Sequence, residues 1–167
     1  MRVSGVDEET RGDPREVALE NARRKAAAIE APGRLILGVD TDVALDGDIL
    51  GKPADEEQAR AFLSRLSGRT HAVVGGVSVA GRGEFVEVTE VDFAALDPTT
   101  LDWYVRSREW EGRAGGYAIQ GLGAALITGI RGDYLNVVGL PLARLLSLHP
   151  DLHPATPISR GSEQGVR

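Results

Sequence analysis

The sequence predicts an α/β fold, with a mixed, twisted β-sheet divided into two lobes around a central cleft. Residues 35–39 are almost wholly apolar and are followed directly by Asp40. This pattern is typical of a strand that is buried on both faces and ends at a cleft. Residues 71–80 and 84–93 are rich in valine and are separated by Gly-Arg-Gly, so they predict two more strands. Helical patterns occur before and between these strands, and the combination of helices and strands indicates the α/β class.

Four segments have the residue spacing and the start signals of helices. They begin at Asp13-Pro14, at Pro53, at Asp97-Pro98 and near Leu142. The first is expected to run to about Ile29, with Ala18, Ala22, Lys25 and Ile29 on one face. Lys25 therefore lies within an apolar stripe. It either extends to the surface along that stripe or reaches an anion site, and the spacing alone leaves both open.

Asp46-Gly47 predicts a tight hairpin after the apolar strand. It lies between two short apolar runs, and a two-residue hairpin of this kind needs positive φ at both central residues. The hairpin is expected to bring Lys52 back beside Asp40, so that an ammonium and a carboxylate converge. An ordinary strand pair with solvated ends is the alternative that these residues leave open.

Two finer features concern the remaining strands. The alternation within residues 84–93 changes phase at Thr89-Glu90, which predicts a β-bulge. Residues 123–130 predict a further core strand.

His71 has no acidic residue near it in the sequence, so it is interpreted as a structural polar residue rather than a catalytic base.

The composition predicts one cytoplasmic domain. A net charge of −6 disfavours binding to nucleic-acid phosphates, and the absence of cysteine excludes disulfides. The N-terminus lacks the apolar core of a signal peptide, and the longest apolar stretch is too short to cross a bilayer. Neither a nucleic acid nor a membrane is expected as a partner. Residues 1–149 are assigned to the domain, and residues 150–167 are expected to form a disordered tail.

Lysine is rare in this chain. There are 17 arginines but only two lysines, Lys25 and Lys52. Where any cation would serve, this composition supplies arginine, so these two positions are candidates for a site that needs a compact ammonium group.

Five short motifs follow one another along the chain. They are Val39-Asp40-Thr41, Gly51-Lys52-Pro53, Leu66-Ser67-Gly68-Arg69-Thr70-His71, Ala114-Gly115-Gly116-Tyr117-Ala118-Ile119-Gln120-Gly121 and Gly132-Asp133-Tyr134-Leu135-Asn136-Val137-Val138-Gly139-Leu140-Pro141. In order and spacing they resemble the Maf family of nucleotide pyrophosphatases, and the resemblance runs from about residue 6 to residue 146. It implies the Maf/ITPase-like fold and hydrolysis of nucleoside triphosphates to monophosphate and diphosphate.

The resemblance also implies roles for individual residues. Asp40 is expected to act as the general base, and Lys25, Lys52 and Arg113 are expected to hold the phosphates. Thr41 and Gln120 match positions that are tied to base choice in the dTTP/UTP branch of the family. A glutamine amide can donate and accept hydrogen bonds at once, as a pyrimidine edge requires.

Glu8 matches an acidic residue beside the metal and the triphosphate. The resemblance therefore implies that Glu8 and Asp40 hold a divalent cation, Mg2+ or Mn2+. Without the resemblance, Glu8 would be interpreted as part of a solvated acidic N-terminus. Family members are often dimers, so a homodimer is expected.

The family's opening strand and its Ser-x-Ser-Pro-Arg-Arg segment have no match in this sequence. That segment supplies a phosphate-binding loop and an arginine contact, so its absence is expected to reduce activity. Either the true start lies upstream of Met1, or the chain is a shortened and weakened member. The alternative function is that of a catalytically weak or inactive nucleotide-binding protein with a regulatory role in cell division.

Overall fold

The computed structural model describes residues 8–153. Its strands are β1 (Leu37–Leu45), β2 (Asp48–Leu50), β3 (Thr70–Val79), β4 (Gly83–Phe93) and β5 (Ile127–Arg131). Its α-helices are α1 (Pro14–Ala27), α2 (Glu56–Leu66), α3 (Pro98–Arg106), α4 (Tyr134–Val138) and α5 (Leu142–Leu148). Short 3-10 turns cover Ala114–Gly116, Leu122–Leu126 and Pro150–Leu152. The predicted α/β class is confirmed.

The five strands form one sheet in the order β2-β1-β3-β4-β5. Every pairing within residues 8–153 is antiparallel, whereas a mixed sheet was expected. Hairpins join β1 to β2 and β3 to β4, so these two pairs are necessarily antiparallel. A parallel pair would need a crossover that returns the chain to the same end of the sheet.

The predicted hairpin at Asp46-Gly47 is confirmed. Leu45 pairs with Asp48, so only two residues form the loop. Their φ angles are 55° for Asp46 and 86° for Gly47, which is the positive-φ pair that this turn requires.

Helices α1 and α3 begin directly after the aspartates that were predicted to cap them. Asp13 accepts hydrogen bonds from the backbone N–H groups of Arg15 and Glu16, and Asp97 accepts one from Thr100. Two boundaries differ from the prediction. The first helix ends at Ala27 rather than at Ile29, and the second begins at Glu56, with Asp55 as its cap, rather than at Pro53.

The prediction of a bulge at Thr89-Glu90 is wrong. The ladder between β3 and β4 is continuous there, and the irregularity lies between Asp92 and Phe93, where β4 pairs with β5. The misleading signal came from Val86 and Val88, which pack toward α1 while the alternate residues of β4 face the other side of the sheet. The core strand predicted at residues 123–130 is also shorter, because a 3-10 turn occupies its first half.

Both faces of the sheet are covered. On one face, Ala18 of α1 packs with Ala44 and Val74. On the other face, α2 and α3 pack against one end of the sheet in a cluster that includes Leu63 and Tyr104. At the other end of this face, α5 packs through Leu145 in a second cluster, with Val77 and Phe85. A cavity lies between these two groups, which is the predicted cleft.

Residues 150–152, which were expected to belong to a disordered tail, are folded against the domain. Pro150–Leu152 form a 3-10 turn, Leu152 packs against the α5 cluster, and Asp151 forms an ion pair with Arg82 at 2.8 Å. Residues 154–167 lie outside the described part of the chain, so the disordered tail stays a prediction there. Among residues 8–153, no helix has both the length and the apolar character needed to cross a membrane.

Candidate active site

The close approach of α1 to the sheet brings the first site residues together. The contact surface is made of small residues, with Ala18, Ala22 and Ala26 fully or almost fully buried. A side chain at Gly38 or Gly76 would overlap the backbone of α1. Because α1 lies so near, its polar side chains reach the strand beneath.

Lys25 is the first of these polar side chains. Its ammonium group donates a hydrogen bond to the carboxylate of Asp40, and it lies 2.7 Å from Oε1 of Glu8. Lys52 approaches Glu8 from the other side, and its Nζ lies 2.8 Å from Oε1 and 2.7 Å from Oε2. Two ammonium groups and two carboxylates therefore alternate in one cluster. The side chain of Lys25 is 20% exposed and contacts two carboxylates, and its expected role in holding an anion stays a prediction.

The cluster shifts the pKa values of its members. Burial favours the neutral form of Glu8, but hydrogen bonds from Lys25 and Lys52 outweigh it and lower the pKa of this carboxyl below its usual value. Burial likewise opposes the charge of Lys25, but its hydrogen bonds to Asp40 and Glu8 raise the pKa of the ammonium. Both shifts favour the charged forms, so Glu8 and Lys25 are ionised at neutral pH.

Asn21 is a member that sequence reasoning missed. It is 1% exposed, and its Nδ2 donates to Oδ2 of Asp40 at 3.0 Å and to the carbonyl oxygen of Glu9 at 2.9 Å. Its Oδ1 accepts from the backbone N–H of Glu9 at 2.9 Å. Asn21 thus fixes both Asp40 and the segment that carries Glu8. An asparagine on the inner face of a helix, where this residue is disfavoured, was the signal for it.

The cavity beside this cluster measures about 240 Å³. Six predicted site residues line it: Lys25, Asp40, Thr41, Lys52, Arg113 and Gln120. Glu8, the seventh, contacts both lysines. The structure therefore brings together every residue that the sequence singled out for the site.

The cavity has an apolar wall as well as charged groups. Val43 and Val73 contribute to it from the sheet, and Val137 and Val138 from α4. Asn136 anchors α4, since its Nδ2 donates to the carbonyl oxygen of Val73 at 3.1 Å. A cavity with cations at one part and aliphatic side chains at another suits a ligand that has both an anionic and a flat apolar portion.

Asp42 lies on the same face of β1 as Asp40 but lacks its partners. Its Oδ2 is buried and has no hydrogen-bond partner among residues 8–153. Burial, followed by the negative charges of Asp40 and Glu8, raises the pKa of Asp42 to about 7. The two aspartates thus differ in environment although they are separated by one residue.

His71 is a structural residue, as predicted. It is 3% exposed, and its Nε2 lies 2.8 Å from the hydroxyl of Tyr117. Phe93 and Tyr117 pack edge-on against its ring. Burial lowers the pKa of His71 to about 4, so the imidazole is neutral at physiological pH.

The carboxylates of the cluster fit a divalent cation that is bound jointly by protein carboxylates and by the phosphate oxygens of a ligand. Within residues 8–153, no three histidine, aspartate or glutamate side chains lie close enough together to hold a metal ion by themselves. Mg2+ is usually bound by one or two carboxylates together with phosphate oxygens and water. Glu8 and Asp40, which share Lys25, supply two hard oxygen donors of this kind.

Comparison with known proteins identifies the family. Residues 1–151 match the family described as "Maf-like protein". The chain belongs to the Maf family. The resemblance seen in the sequence motifs is therefore confirmed, and the antiparallel sheet with its cleft is the form that the Maf fold takes in this chain.

Several relatives of this Maf protein carry the name "dTTP/UTP pyrophosphatase". The protein of that name from Pyrococcus furiosus is 45% identical over 81% of this chain and 74% of its own length. The one from Symbiobacterium thermophilum is 48% identical over 89% of this chain and 80% of its own length. The one from Deinococcus radiodurans is 47% identical, with 87% and 78% covered.

Proposed function

We propose that this Maf protein hydrolyses UTP or dTTP to the nucleoside monophosphate and diphosphate. The observation that carries the proposal is the convergence of Lys25, Lys52 and Arg113 with the buried carboxylate of Asp40 in the cavity that Gln120 also lines. The names of the relatives support the same reaction.

Asp40 is the proposed general base. It orients a water molecule toward the α-phosphorus and accepts its proton as the bond to the β-phosphate oxygen breaks. Hydrolysis of a phosphoanhydride depends mainly on positioning and on neutralisation of charge. Asn21 and Lys25 fix the carboxylate of Asp40, so its orientation is set before the substrate binds.

The cations are proposed to hold the triphosphate. Lys25 forms ion pairs with Glu8 and Asp40, and Lys52 forms one with Glu8. A triphosphate offers them oxygen acceptors of higher charge, and Arg113 adds a third cation.

Glu8 and Asp40 are the proposed holders of a divalent cation, Mg2+ or Mn2+. When bound, such an ion would neutralise charge on the phosphate oxygens. The two carboxylates that would hold it are those that form ion pairs with Lys25 and Lys52.

The base is proposed to contact Gln120 and Thr41. The amide of Gln120 can accept from the N3–H of uracil or thymine and donate to a neighbouring carbonyl oxygen. Cytosine has no N3–H, so it would leave one of these hydrogen bonds unmade. The cytoplasmic location and the homodimer stay predictions.

The test is an assay of diphosphate release from UTP with Mg2+ or Mn2+, comparing the wild type with Asp40→Asn. Loss of a general base is expected to lower kcat by about 100- to 10,000-fold. Asp48→Asn is the matched control, since Asp48 is exposed and forms an ion pair with Arg65 away from the cavity. The control is expected to keep wild-type turnover.

Three outcomes are distinguishable. Diphosphate release that Asp40→Asn abolishes, with unchanged circular dichroism, supports the proposal. Equal turnover in Asp40→Asn removes Asp40 from its role. Binding of UTP by the wild type without any diphosphate release favours the alternative, a regulatory nucleotide-binding protein.

A further inference from the structure

Gln120 lies in a tight turn that other residues hold in place. The N–H of Gly121 donates to the carbonyl oxygen of Ala118 at 3.1 Å, so Ile119 and Gln120 are the two central residues of a β-turn. Ile119 is buried and anchors the turn in the core, whereas Gln120 is exposed toward the cavity.

Glu109 holds the far side of this turn. Its Oε1 accepts a hydrogen bond from the backbone N–H of Leu122 at 2.9 Å. Its Oε2 accepts from the backbone N–H of Gly123 at 2.8 Å and from the hydroxyl of Tyr104 at 3.0 Å. One carboxylate therefore fixes the two residues that follow the turn, at a distance of 13 and 14 residues along the chain.

Tyr104 holds the near side. Its hydroxyl accepts a hydrogen bond from the backbone N–H of Ala118 at 3.1 Å while it donates to Glu109. The ring of Tyr104 is fully buried in the cluster under the sheet, so the hydroxyl has a fixed position. The turn is thereby linked at both ends to the same carboxylate.

Two further observations suit this arrangement. A side chain at Gly121 would overlap the carboxylate of Glu109, so the glycine leaves the space that the carboxylate fills. Partial burial favours the neutral form of Glu109, but the hydrogen bonds from Gly123, Leu122 and Tyr104 outweigh it and lower the pKa of this carboxyl. Three donors converge on an ionised acceptor, and hydrogen bonds to charged groups are stronger than neutral ones.

We propose that Glu109 is a positioning residue for base discrimination, which acts by fixing the turn that presents Gln120 to the base. This inference rests on the proposed function. A side-chain amide discriminates between bases only where the backbone that carries it has a fixed position relative to the base, because a displaced amide no longer aligns its donor and acceptor with the base edge. Glu109 lies outside the set that contacts the phosphates, so its loss affects the choice of base more than the chemistry.

The test is the ratio of kcat/KM for UTP to kcat/KM for CTP in the wild type and in Glu109→Gln. Glutamine keeps the size of the side chain but places an amide N–H against a backbone N–H, so it cannot accept at both positions. The ratio is expected to fall by at least about tenfold, mainly because CTP hydrolysis rises relative to UTP hydrolysis. Glu111→Gln is the matched control, since Glu111 is exposed and pairs with Arg108 at 2.5 Å. The control is expected to keep the wild-type ratio.

The outcomes separate this inference from the proposed function. A wild type that does not hydrolyse UTP overturns both. If the wild type is active and Glu109→Gln lowers kcat/KM for UTP and for CTP by the same factor, the inference alone is overturned. A residue with a merely structural role has that effect. If thermal unfolding shows that Glu109→Gln does not fold, Tyr104→Phe replaces it. That variant keeps the buried ring, removes the hydroxyl that joins Glu109 to Ala118, and must lower the same ratio for the inference to stand.

Discussion

At the scale of single residues, strand β1 shows how partners decide the state of a buried acid. Asp40 and Asp42 are 5% and 7% exposed and lie on the same strand face. Asp40 accepts hydrogen bonds from Asn21 and Lys25, which compensate for its burial. Within the described part of the chain, Asp42 has a buried oxygen without a hydrogen-bond partner and has neighbours of like charge. The cost of that burial appears in the pH dependence of folding.

Asp42 is expected to make the protein less stable as pH rises. Its folded-state pKa of about 7 exceeds the usual value of 3.8, so between these values the folded state binds a proton that the unfolded state lacks. The free energy of unfolding must then fall as pH rises through this window and level off above it. Asp42→Asn is expected to be more stable than the wild type by roughly 1–3 kcal/mol at pH 8, and equally stable near pH 4.

Urea unfolding at several pH values measures this difference. The neutral imidazole of His71 contributes the opposite slope, since burial lowers its pKa to about 4. That contribution is common to both proteins and cancels in the comparison. A stability difference that stays constant from pH 4 to pH 8 would contradict the assignment of the titration to Asp42.

The sequence predicted the charged members of the site but not the residues that fix them. Asp40 and Lys52 could be found because an apolar run stops at an acid and a hairpin follows. Asn21 and Glu109 act through backbone groups that become neighbours only in the folded chain, 12 to 14 residues away. The helical spacing places Asn21 on the inner face of α1, which marks it as unusual, but no local spacing shows which backbone groups Asn21 or Glu109 will contact.

At the scale of elements, α1 and the sheet depend on each other through small residues. Gly76 pairs with Asp40 across the strands, and its Cα lies under the backbone of α1 at Ala18. Gly76 has an ordinary backbone conformation that alanine can adopt. The obstacle to an alanine there is the overlap of its methyl group with the backbone of α1.

Gly76→Ala is expected to push α1 away from the sheet. The added methyl group would meet backbone atoms, which cannot rotate aside, so we expect a loss of about 2–4 kcal/mol in the free energy of unfolding. Turnover of UTP should fall as well, because Lys25 and Asn21 reach Asp40 only from the closely packed helix. Urea unfolding and the diphosphate assay measure the two effects.

Gly51→Ala is the matched control for the unfolding experiment. Among residues 8–153, a methyl group at Gly51 would meet only Thr10 Cγ2, at 3.8 Å, and the backbone there has no positive φ. Its stability should stay within about 0.5 kcal/mol of the wild type. Equal stability of Gly76→Ala and Gly51→Ala would show that α1 does not need its close approach.

The same packing explains which elements could be predicted. Caps at Asp13 and Asp97 and the Asp-Gly hairpin are local signals, and each structure forms where expected. The phase of β4 was misread because a strand covered on both faces has apolar residues at odd and even positions. Only the position of α1 shows that Val86 and Val88 belong to a second buried face.

At the scale of the whole molecule, the candidate site joins elements that are distant in sequence. Lys25 comes from α1, Asp40 from β1, and Lys52 from the segment after β2, while Arg113 and Gln120 come from the loop region beyond α3. A ligand that contacts all of them would connect parts of the protein that are otherwise joined through the sheet. Binding should therefore oppose global unfolding and not only local motion.

A UTP analogue with an imido group between the α- and β-phosphates is expected to raise Tm, since it fills the site but resists cleavage of that bond. At 100 times its Kd the ligand adds about 2.7 kcal/mol of stability, or about 5–10 °C for a chain of this size. Lys52→Ala should fold with little loss, because its side chain is 49% exposed and pairs only with Glu8 among the contacts of residues 8–153. The rise in Tm that the analogue causes should be markedly smaller in Lys52→Ala than in the wild type, since a phosphate contact is lost. An equal shift in both proteins, measured by scanning calorimetry, would mean that the triphosphate binds without Lys52, and the cation cluster would lose its proposed role.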